Sequence, residues 1–498
     1  MKWSILQKAF MVSLCVCLLS AFLGSCGWVE TPAVSTEPAS STAAKPTEEE
    51  EIILRVLVEE SLGAAMGPAG FDYLHSYLTR YVSMFQSSHK DVEVVIEKLP
   101  KTEGRKEVLQ RLRTELMMGE GPDILLLPTL PTITETWDEF VEPLIPDVQM
   151  AMRNGLFLDI SAYYDADTKL NTQALNSTVM DAGILDGARY VLPLSYNLPV
   201  ACVIPDAFAE SGIPQDIFTY GASDLMNAVA QMEDLKAVGN FYHTYNTGAP
   251  LAFNFFPQLL DYDTGKVALT QEELAAYLWA WQSYRAQTYK VDDAGGTWSK
   301  SYDLHFYDGS EELGFRYWAE EGHFASCDSL LLAADNLLLA KRAGLSLDMY
   351  PMRAVDGSVV ADVTLYCAVT SGCEHPELAY DFMREFLGEN YQWQLGYTSG
   401  IDFYGWPVRT EGSVAPTCNA VRGSGQKNPA NELNITDSDM PVLNVGIDHV
   451  RFSIPLEVEF GKEFRKLINQ TTGGAFPTDI DQLAADWIKK LQQHLDEG

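Results

Sequence analysis

The stretch IILRVLVEE (residues 52–60) decides the fold of this chain, because its β-branched residues and leucines predict a strand where ordered sequence begins. Large apolar residues then recur at helical spacing from Leu74 to Phe85, and DVEVVIEKL (91–99) predicts a second strand. A second helix runs from Val108 to Leu116, and DILLLP (123–128) predicts a third, buried strand. This alternation is typical of a parallel sheet with helices on both faces, an α/β class.

Two long apolar segments downstream are predicted to be extended, GARYVLPLSYNLPVACVIP (187–205) and VVADVTLYCAVTS (359–371). Between them, DYDTGKVALTQEEL (261–274) predicts a hairpin-like turn followed by a helix. Helical spacing also marks PELAYDFMREFLGEN (376–390) and the segment from Ile480 to Leu495. A chain of 498 residues exceeds what one hydrophobic core usually serves, so we expect two lobes.

The N-terminus reads as an export signal. Lys2 and Lys8 precede an apolar run that ends at Leu23, too short for a comfortable membrane-spanning helix. LGSC (23–26) resembles the lipobox of bacterial lipoproteins, which implies that residues 1–25 are removed and that Cys26 carries the lipid anchor. The alternative is an uncleaved amphiphilic N-terminus with a chance cysteine. Under the first interpretation the protein is held at the outer face of the cell membrane.

Residues 27–51 are rich in Pro, Ser, Thr, Ala and Glu, so we expect a disordered acidic tether after the anchor. The formal net charge of −35 disfavours binding to nucleic acid or to anionic lipid headgroups. No later stretch of sequence has the uninterrupted apolar length of a transmembrane helix.

The motifs HExxH, GxSxG, the P-loop and GxGxxG are absent from the sequence, and the histidines are scattered. DADTK (165–169) resembles a calcium loop only faintly, and a solvated turn is favoured. No CxxC pair indicates zinc or redox chemistry, and Cys367 and Cys373 are either bridged or buried as free thiols. We therefore expect no cofactor, no metal and no catalysis.

Several segments in order resemble the family 1 extracellular solute-binding proteins, the maltodextrin-binding-like receptors of bacterial ABC importers. The resemblance covers nearly the whole chain and is carried by these segments: MMGEGPDILLLP (117–128), NGLFLDIS (154–161), LDGARYVLPLSYN (185–197), DAFAESGIP (206–214), SGCEHPELAYDFMREFL (371–387), GWPVRTEG (405–412) and GGAFPTDIDQLAADWIKKLQQHLDE (473–497).

This resemblance implies a periplasmic-binding-protein type II-like fold, in which each lobe has a mainly parallel sheet flanked by helices and the ligand cleft lies between the lobes. It assigns residues 52–190 and 360–411 to the first lobe and residues 191–359 and 412–498 to the second. The chain would cross between lobes near 191–202 and near 360–369. Hinge closure around a solute is the implied mechanism, and the closed form is what a permease would recognise.

The first candidate ligand contacts lie where strands end. Glu59 and Glu60 close the first predicted strand and Thr129 closes the third, at the edge where a parallel sheet offers its site. For each of them a solvated loop position is an equal alternative. Tyr196 and Asn197 stand on the first crossing segment, where the resemblance implies a polar contact; Tyr196 could instead pack within the hinge.

The second group of candidates is mostly aromatic, because sugar rings stack on aromatic side chains. The resemblance places Tyr404 and Trp406 near the cleft and Tyr245 and Phe255 in an aromatic-rich segment of the second lobe. Packing in a core is the alternative for each. Asp328 lies where maltodextrin-type members carry a tryptophan a few residues later, but this chain has leucines at 330–332, which leaves the ligand class open.

The sequence thus predicts a lipid-anchored, monomeric receptor that delivers a solute, most simply a sugar, to ABC permease subunits. A receptor for a peptide or polyamine on the same fold is the nearest alternative, since a fold does not fix a ligand. A surface carbohydrate-active hydrolase or an adhesion lipoprotein is the alternative from another class.

Overall fold

The computed structural model describes the folded part of the chain with gaps. The described residues are 52–59, 73–100, 103–130, 141–210, 213–231, 255–291, 297–299, 324–327, 330, 333–334, 337, 340–341, 344–392, 405–410, 437–469 and 479–497.

The strands, numbered along the chain, are β1 (Ile52–Glu59), β2 (Val92–Leu99), β3 (Ile124–Pro128), β4 (Ile184–Leu185), β5 (Ala188–Arg189), β6 (Val191–Asn197), β7 (Val200–Val203), β8 (Leu260–Asp261), β9 (Lys266–Val267), β10 (Tyr289–Val291), β11 (Thr297–Ser299), β12 (Phe324–Cys327), β13 (Asp348–Pro351), β14 (Val360–Val369), β15 (Trp406–Pro407) and β16 (His449–Phe452).

The α-helices are α1 (Tyr73–Ser88), α2 (Arg105–Met118), α3 (Val148–Arg153), α4 (Ser161–Ala166), α5 (Ser177–Asp181), α6 (Pro205–Glu210), α7 (Ala222–Ala230), α8 (Gln271–Thr288), α9 (Pro376–Arg384), α10 (Pro455–Asn469) and α11 (Ile480–Glu497). Short 3-10 turns occur between them, for example directly after α9.

A large sheet has the strand order β15-β6-β14-β3-β1-β2, and β16 also pairs with β14. β1 runs parallel to β2 and to β3, as the opening sequence predicts. β14 runs antiparallel to both β3 and β6, and parallel to β16. The sheet is therefore mixed, with its parallel part formed by the first strand–helix–strand–helix–strand segment.

Helices cover both faces of this sheet. On one face, Leu78 and Phe85 of α1 pack with Phe382 of α9, where Phe85 and Phe382 meet edge to face at 5.1 Å. The other face carries a separate cluster that includes Leu112 of α2 and Val148 of α3. Burial on both faces explains why β3 consists of apolar residues without alternation.

Two glycines allow α2 to end against the end of β14. Gly119 caps the helix with φ +73, a left-handed conformation that glycine adopts without strain. A Cβ atom on Gly372 would lie 2.2 Å from the Gly119 carbonyl oxygen, so the two backbones approach too closely for any side chain at 372.

A second, smaller sheet has the order β12-β7-β13. β7 pairs antiparallel with both neighbours, which differs from the parallel pairing expected for this part of the chain. The described strands beside β7 are β12 and β13, and both run in the opposite direction to β7.

The chain passes from the large sheet to the small one at Leu198 and Pro199, between β6 and β7. The segment predicted to be one extended run is thus a pair of strands in different sheets. The chain returns to the large sheet between β13 and β14. We call the large sheet with its covering helices the first lobe.

The second lobe consists of the small sheet, the β8–β9 hairpin and the helices α7, α8 and α11, of which α8 packs against both others and α11 against β9. The predicted hairpin and helix at 261–274 are confirmed. Ala275, Leu278 and Trp281 of α8 are buried, as their spacing predicts. Within the described residues, no helix has the length and apolarity to cross a membrane.

Candidate functional site

The topology of the large sheet brings together, at one edge, predicted residues that are far apart in sequence. β1 and β3 end there, because Val58 pairs with Leu126 in parallel register. The antiparallel strand β14 places its N-terminal half at the same edge, beside the end of β6, where Asp362 pairs with Asn197. We define the site edge as the region that contains Glu59, Thr129, Tyr196, Asn197 and Trp406.

Glu59 is held by an arginine at this edge. Its carboxylate oxygens accept from both terminal nitrogens of Arg105, at 2.6 and 3.0 Å, and only 2% of Glu59 is exposed. Arg105 also donates to the carbonyl oxygens of Pro100 and Glu142. These bonds tie the end of β1 to the start of α2, so Glu59 has a structural role.

Thr129 closes the contact between β3 and β14. Its hydroxyl donates to the Val363 carbonyl oxygen at 2.6 Å, and its backbone N–H donates to the Thr364 carbonyl oxygen at 3.0 Å. The side chain is buried. The alternative of a solvated loop is therefore wrong for Thr129, and its hydroxyl stabilises the site edge.

Tyr196 and Trp406 are backbone partners on β6 and β15, and each is only 4% exposed. Burial raises the pKa of Tyr196. Both rings belong to the core cluster between the sheet and its helices. Stacking of Trp406 on a sugar stays a prediction, and it would need an uncovered ring face.

Gly405 lets β15 lie close to the crossing strands. Its φ is +70, and a Cβ atom there would lie 2.4 Å from the Tyr196 carbonyl oxygen and 2.6 Å from the Thr364 hydroxyl. The Ser195 and Thr364 hydroxyls are 2.8 Å apart. A side chain at 405 would therefore disturb the polar contacts between β6 and β14.

Asn197 is partly buried at the end of β6, and its Oδ1 accepts from the Leu198 N–H at 2.8 Å. Beside it, sequence reasoning missed a group of buried charges. Arg451 donates through Nε to Asp362 at 2.7 Å and through a terminal nitrogen to Glu457 at 2.6 Å. We call Asp362, Arg451 and Glu457 the Arg451 cluster. An aspartate within the apolar run VVADVTLYCAV was the signal that could have found it.

The Arg451 cluster holds one cation and two carboxylates away from solvent. Burial raises the pKa of both Asp362 and Glu457, and the nearby Arg451 guanidinium only partly opposes that shift. Burial lowers the pKa of Arg451, but the two carboxylates outweigh it and raise the pKa overall. The cluster therefore holds two carboxyl groups that resist ionisation around a single arginine, and Asp362 lies beside Asn197 in the sheet.

The other predicted residues do not join the site edge in the described part of the chain. Phe255 is buried in the second lobe, 6.2 Å from Tyr277 in a stacked arrangement, and its carbonyl oxygen accepts from the Val355 N–H. It packs in the core, the alternative given for it. The remaining predictions, Glu60, Tyr245, Asp328, Tyr404 and Cys26, lie outside the described residues.

The described cysteines do not resemble activated nucleophiles. Cys202, Cys367 and Cys373 are free thiols, so Cys367 and Cys373 are not bridged. Burial raises the pKa of Cys367 and raises that of Cys373 to about 12. Nucleophilic cysteines need a thiolate, which these environments disfavour. Among the described residues, no group of His, Cys, Asp and Glu could hold a metal ion.

An open depression of about 480 Å³ lies away from the site edge, around the start of α9. Its lining includes Tyr163 and the acidic residues Glu374, Glu377 and Asp381. The segment from Val369 to Glu374 leaves the opposite end of β14, so this depression is no part of the site edge.

Comparison with known proteins places the fold. An extracellular solute-binding protein family 1 from Alicyclobacillus acidocaldarius matches with a TM-score of 0.50 and 15% identity, over 89% of this chain and 98% of that one. The sugar-binding protein MalE from Xanthomonas citri matches with a TM-score of 0.52 and 12% identity, over 89% and 98%. A de novo designed cysteine esterase matches with a TM-score of 0.52 and 12% identity, over 90% and 99%.

No family model matches the sequence, and no curated protein does. The likeness to solved structures nevertheless confirms the fold that the sequence resemblance implied. The chain has the two-lobed α/β fold of the family 1 extracellular solute-binding proteins, including maltodextrin-binding-like members.

Proposed function

We propose that this protein is the substrate-binding subunit of an ABC importer and captures a carbohydrate between its lobes. The observation that carries the proposal is the gathering of polar groups at the site edge, where the chain crosses between sheets. In open α/β sheets, ligands bind beyond the carboxyl ends of the strands, which is where β1, β3 and β6 end. The sugar-binding name of the Xanthomonas citri neighbour supports a carbohydrate.

Delivery to permease subunits and attachment to the membrane through Cys26 are part of the same proposal. The order of basic residues, apolar run and LGSC supports the anchor. A receptor fixed near its permease meets it at a high effective concentration.

Membrane attachment is tested by expressing Cys26→Ala in a bacterial host and fractionating the cells. We expect the variant to lose incorporation of radiolabelled palmitate and to leave the membrane fraction. Cys17→Ala is the matched control, because that cysteine lies inside the leader and we expect its loss to change neither result. A Cys26→Ala protein that stays labelled and membrane-bound would show that the lipobox interpretation is wrong.

Solute binding is tested by thermal unfolding in the presence of maltodextrins, acidic oligosaccharides, peptides and polyamines. A ligand at 100 times its dissociation constant stabilises a protein by about 2.7 kcal/mol, which is a measurable shift of the unfolding temperature. Stabilisation by sugars alone supports the proposal. Stabilisation by peptides or polyamines alone assigns the other receptor class, and no stabilisation by any solute contradicts a receptor role.

A hydrolase is the second candidate only because the esterase neighbour shows that a chain with this fold has been designed for catalysis. The raised pKa of the Cys367 and Cys373 thiols counts against an esterase that uses either of them as nucleophile. Incubation of the purified protein with p-nitrophenyl esters and with oligosaccharides tests this candidate, and release of product above the rate of a heat-denatured sample would favour it.

A further inference from the structure

Asp147 is a buried carboxylate of the first lobe with both oxygens in use. Its Oδ1 accepts from the Met150 N–H at 2.9 Å and caps α3, whose residues pack on the large sheet. Its Oδ2 accepts from the Tyr262 hydroxyl at 2.6 Å and lies 3.1 Å from Nε2 of His494. Only 7% of Asp147 is exposed, so these bonds form largely out of water.

Both partners of Oδ2 belong to the second lobe. Tyr262 directly follows β8 in the hairpin, and His494 lies near the end of α11. Gln492 of the same helix donates to the Gly265 carbonyl oxygen at 3.1 Å, which joins α11 to the hairpin. One carboxylate of the first lobe thus binds two donors that the second lobe holds as a unit.

Other charged groups lie close to Tyr262 and His494. Burial raises the pKa of Tyr262, and Asp147 and Glu457 raise it further while Arg451 opposes them, so Tyr262 remains a donor. On the hairpin, Asp263 lies 3.9 Å from Arg153 of α3, a second ionic contact between the lobes. On α11 itself, Lys490 stands one turn before His494 and pairs with Glu459 and Glu463 of α10.

We propose that Asp147, Tyr262 and His494 form an interlobe latch that holds this arrangement of the lobes. A carboxylate only accepts hydrogen bonds, so Nε2 of His494 carries a hydrogen in this contact. Because Asp147 is largely out of water, parting the lobes takes two donors away from a buried acceptor.

The consequence for solute binding rests on the proposed function. The affinity of a two-lobed receptor includes the free energy of moving its lobes, so a contact between the lobes changes affinity without touching the solute. The latch therefore opposes any lobe movement that separates Asp147 from Tyr262 and His494.

Hydrogen exchange of the ligand-free full chain tests the latch. Tyr262→Phe removes one latch bond and leaves the Asp147 cap in place. We expect about fivefold faster exchange, the effect of losing one such bond, in the amides of 148–156 and also in those of 488–497. His494→Gln takes away the imidazole N–H and should speed exchange in the same two segments.

Matched controls separate the latch from local structural effects. Tyr220→Phe removes a tyrosine–aspartate contact of 3.4 Å to Asp216, four residues earlier in the chain. His89→Gln removes a histidine that contacts the Phe85 carbonyl oxygen within the first lobe. Neither control should change exchange at 148–156 or 488–497.

The latch is wrong if Tyr262→Phe leaves protection unchanged, if its effect is confined to one lobe, or if His494→Gln leaves protection unchanged in both segments. Because no solute is present, these outcomes are distinguishable from failure of the proposed function. Failure of every sugar to stabilise the protein would contradict the receptor role and leave the exchange results to decide the latch.

Discussion

Two buried arginines flank the site edge, and they differ in charge balance. Arg105 faces a single carboxylate, Glu59, and its remaining donors reach the Pro100 and Glu142 carbonyl oxygens. Arg451 faces two carboxylates, Asp362 and Glu457. The first group has one carboxyl group for its arginine, and the second has two.

This difference determines how many carboxyl groups each arginine has to compensate. A balanced pair with all its donors used holds the end of β1 and the start of α2 together. The Arg451 cluster joins β14, β16 and the start of α10, and burial raises the pKa of its carboxyls. Removing one partner from either group leaves a buried charge unpaired. Only the Arg451 cluster would be left with two unpaired carboxylates if its arginine were removed.

The largest effect should follow from Arg451→Met. It strands two buried carboxylates, and breaking a buried pair costs about 3–5 kcal/mol, so we expect a loss of stability at or above the upper end of that range. Urea unfolding at pH 8 measures it. Arg111→Met is the matched control, because that arginine is half exposed and pairs only with Glu115 four residues later, an arrangement worth about 0.3–0.5 kcal/mol.

Arg105→Met should cost somewhat less, about 3 kcal/mol, because it strands one carboxylate. The double variant Glu59→Met with Arg105→Met removes both charges, and we expect it to recover most of that loss, since apolar replacement of a whole buried pair is often neutral. The same unfolding assay applies. A double variant less stable than Arg105→Met would contradict the assignment of that loss to an unpaired Glu59 carboxylate.

The pH dependence of unfolding directly tests the raised pKa of Glu457 in the Arg451 cluster. The pKa of Glu457 is raised in the folded protein from 4.5 to about 7, so the folded state binds more protons than the unfolded state between those pH values. The free energy of unfolding should therefore fall as pH rises from 4.5 to 7.

Glu457→Gln should make that fall shallower, because the amide does not titrate. Glu107→Gln, which removes an exposed carboxylate of α2, controls for the change in net charge. Equal slopes for Glu457→Gln and Glu107→Gln would contradict a raised pKa at Glu457.

The smallest change in stability should come from Asn197→Ala, which removes a partly buried side chain bonded to its own neighbour's N–H. If Asn197 contacts a solute, this variant should weaken binding of a stabilising sugar about fivefold, as expected for one hydrogen bond. Isothermal titration with that sugar measures the effect. Unchanged affinity would move the solute contact away from the end of β6.

The local elements were predictable because their signals are local. The strands and helices from β1 to β3, the hairpin before α8 and the buried face of α11 follow from apolar spacing, glycines and turn residues. The placement of Glu59 and Thr129 at one edge was also predictable, since the carboxyl ends of parallel strands share an edge, whereas Asn197 was placed near the cleft only by the family resemblance.

Other features depend on contacts between distant segments. Nothing near Glu59 in sequence indicates that Arg105 neutralises it, and the burial of Trp406 depends on a strand 210 residues earlier, as the pairing of Trp406 with Tyr196 shows. Cross-strand partners are set by register, which no local pattern contains.

By itself, the sequence determined the α/β class and the positions where strands end, because spacing and residue type act over a few neighbours; the export signal with its cysteine stays a prediction from the same kind of pattern. Only the tertiary structure decided which carboxylates are paired, which aromatic rings are covered and that Asp147 meets Tyr262 and His494. Those outcomes depend on side chains that the fold brings together from distant segments, where burial removes water and makes each pairing a condition of stability.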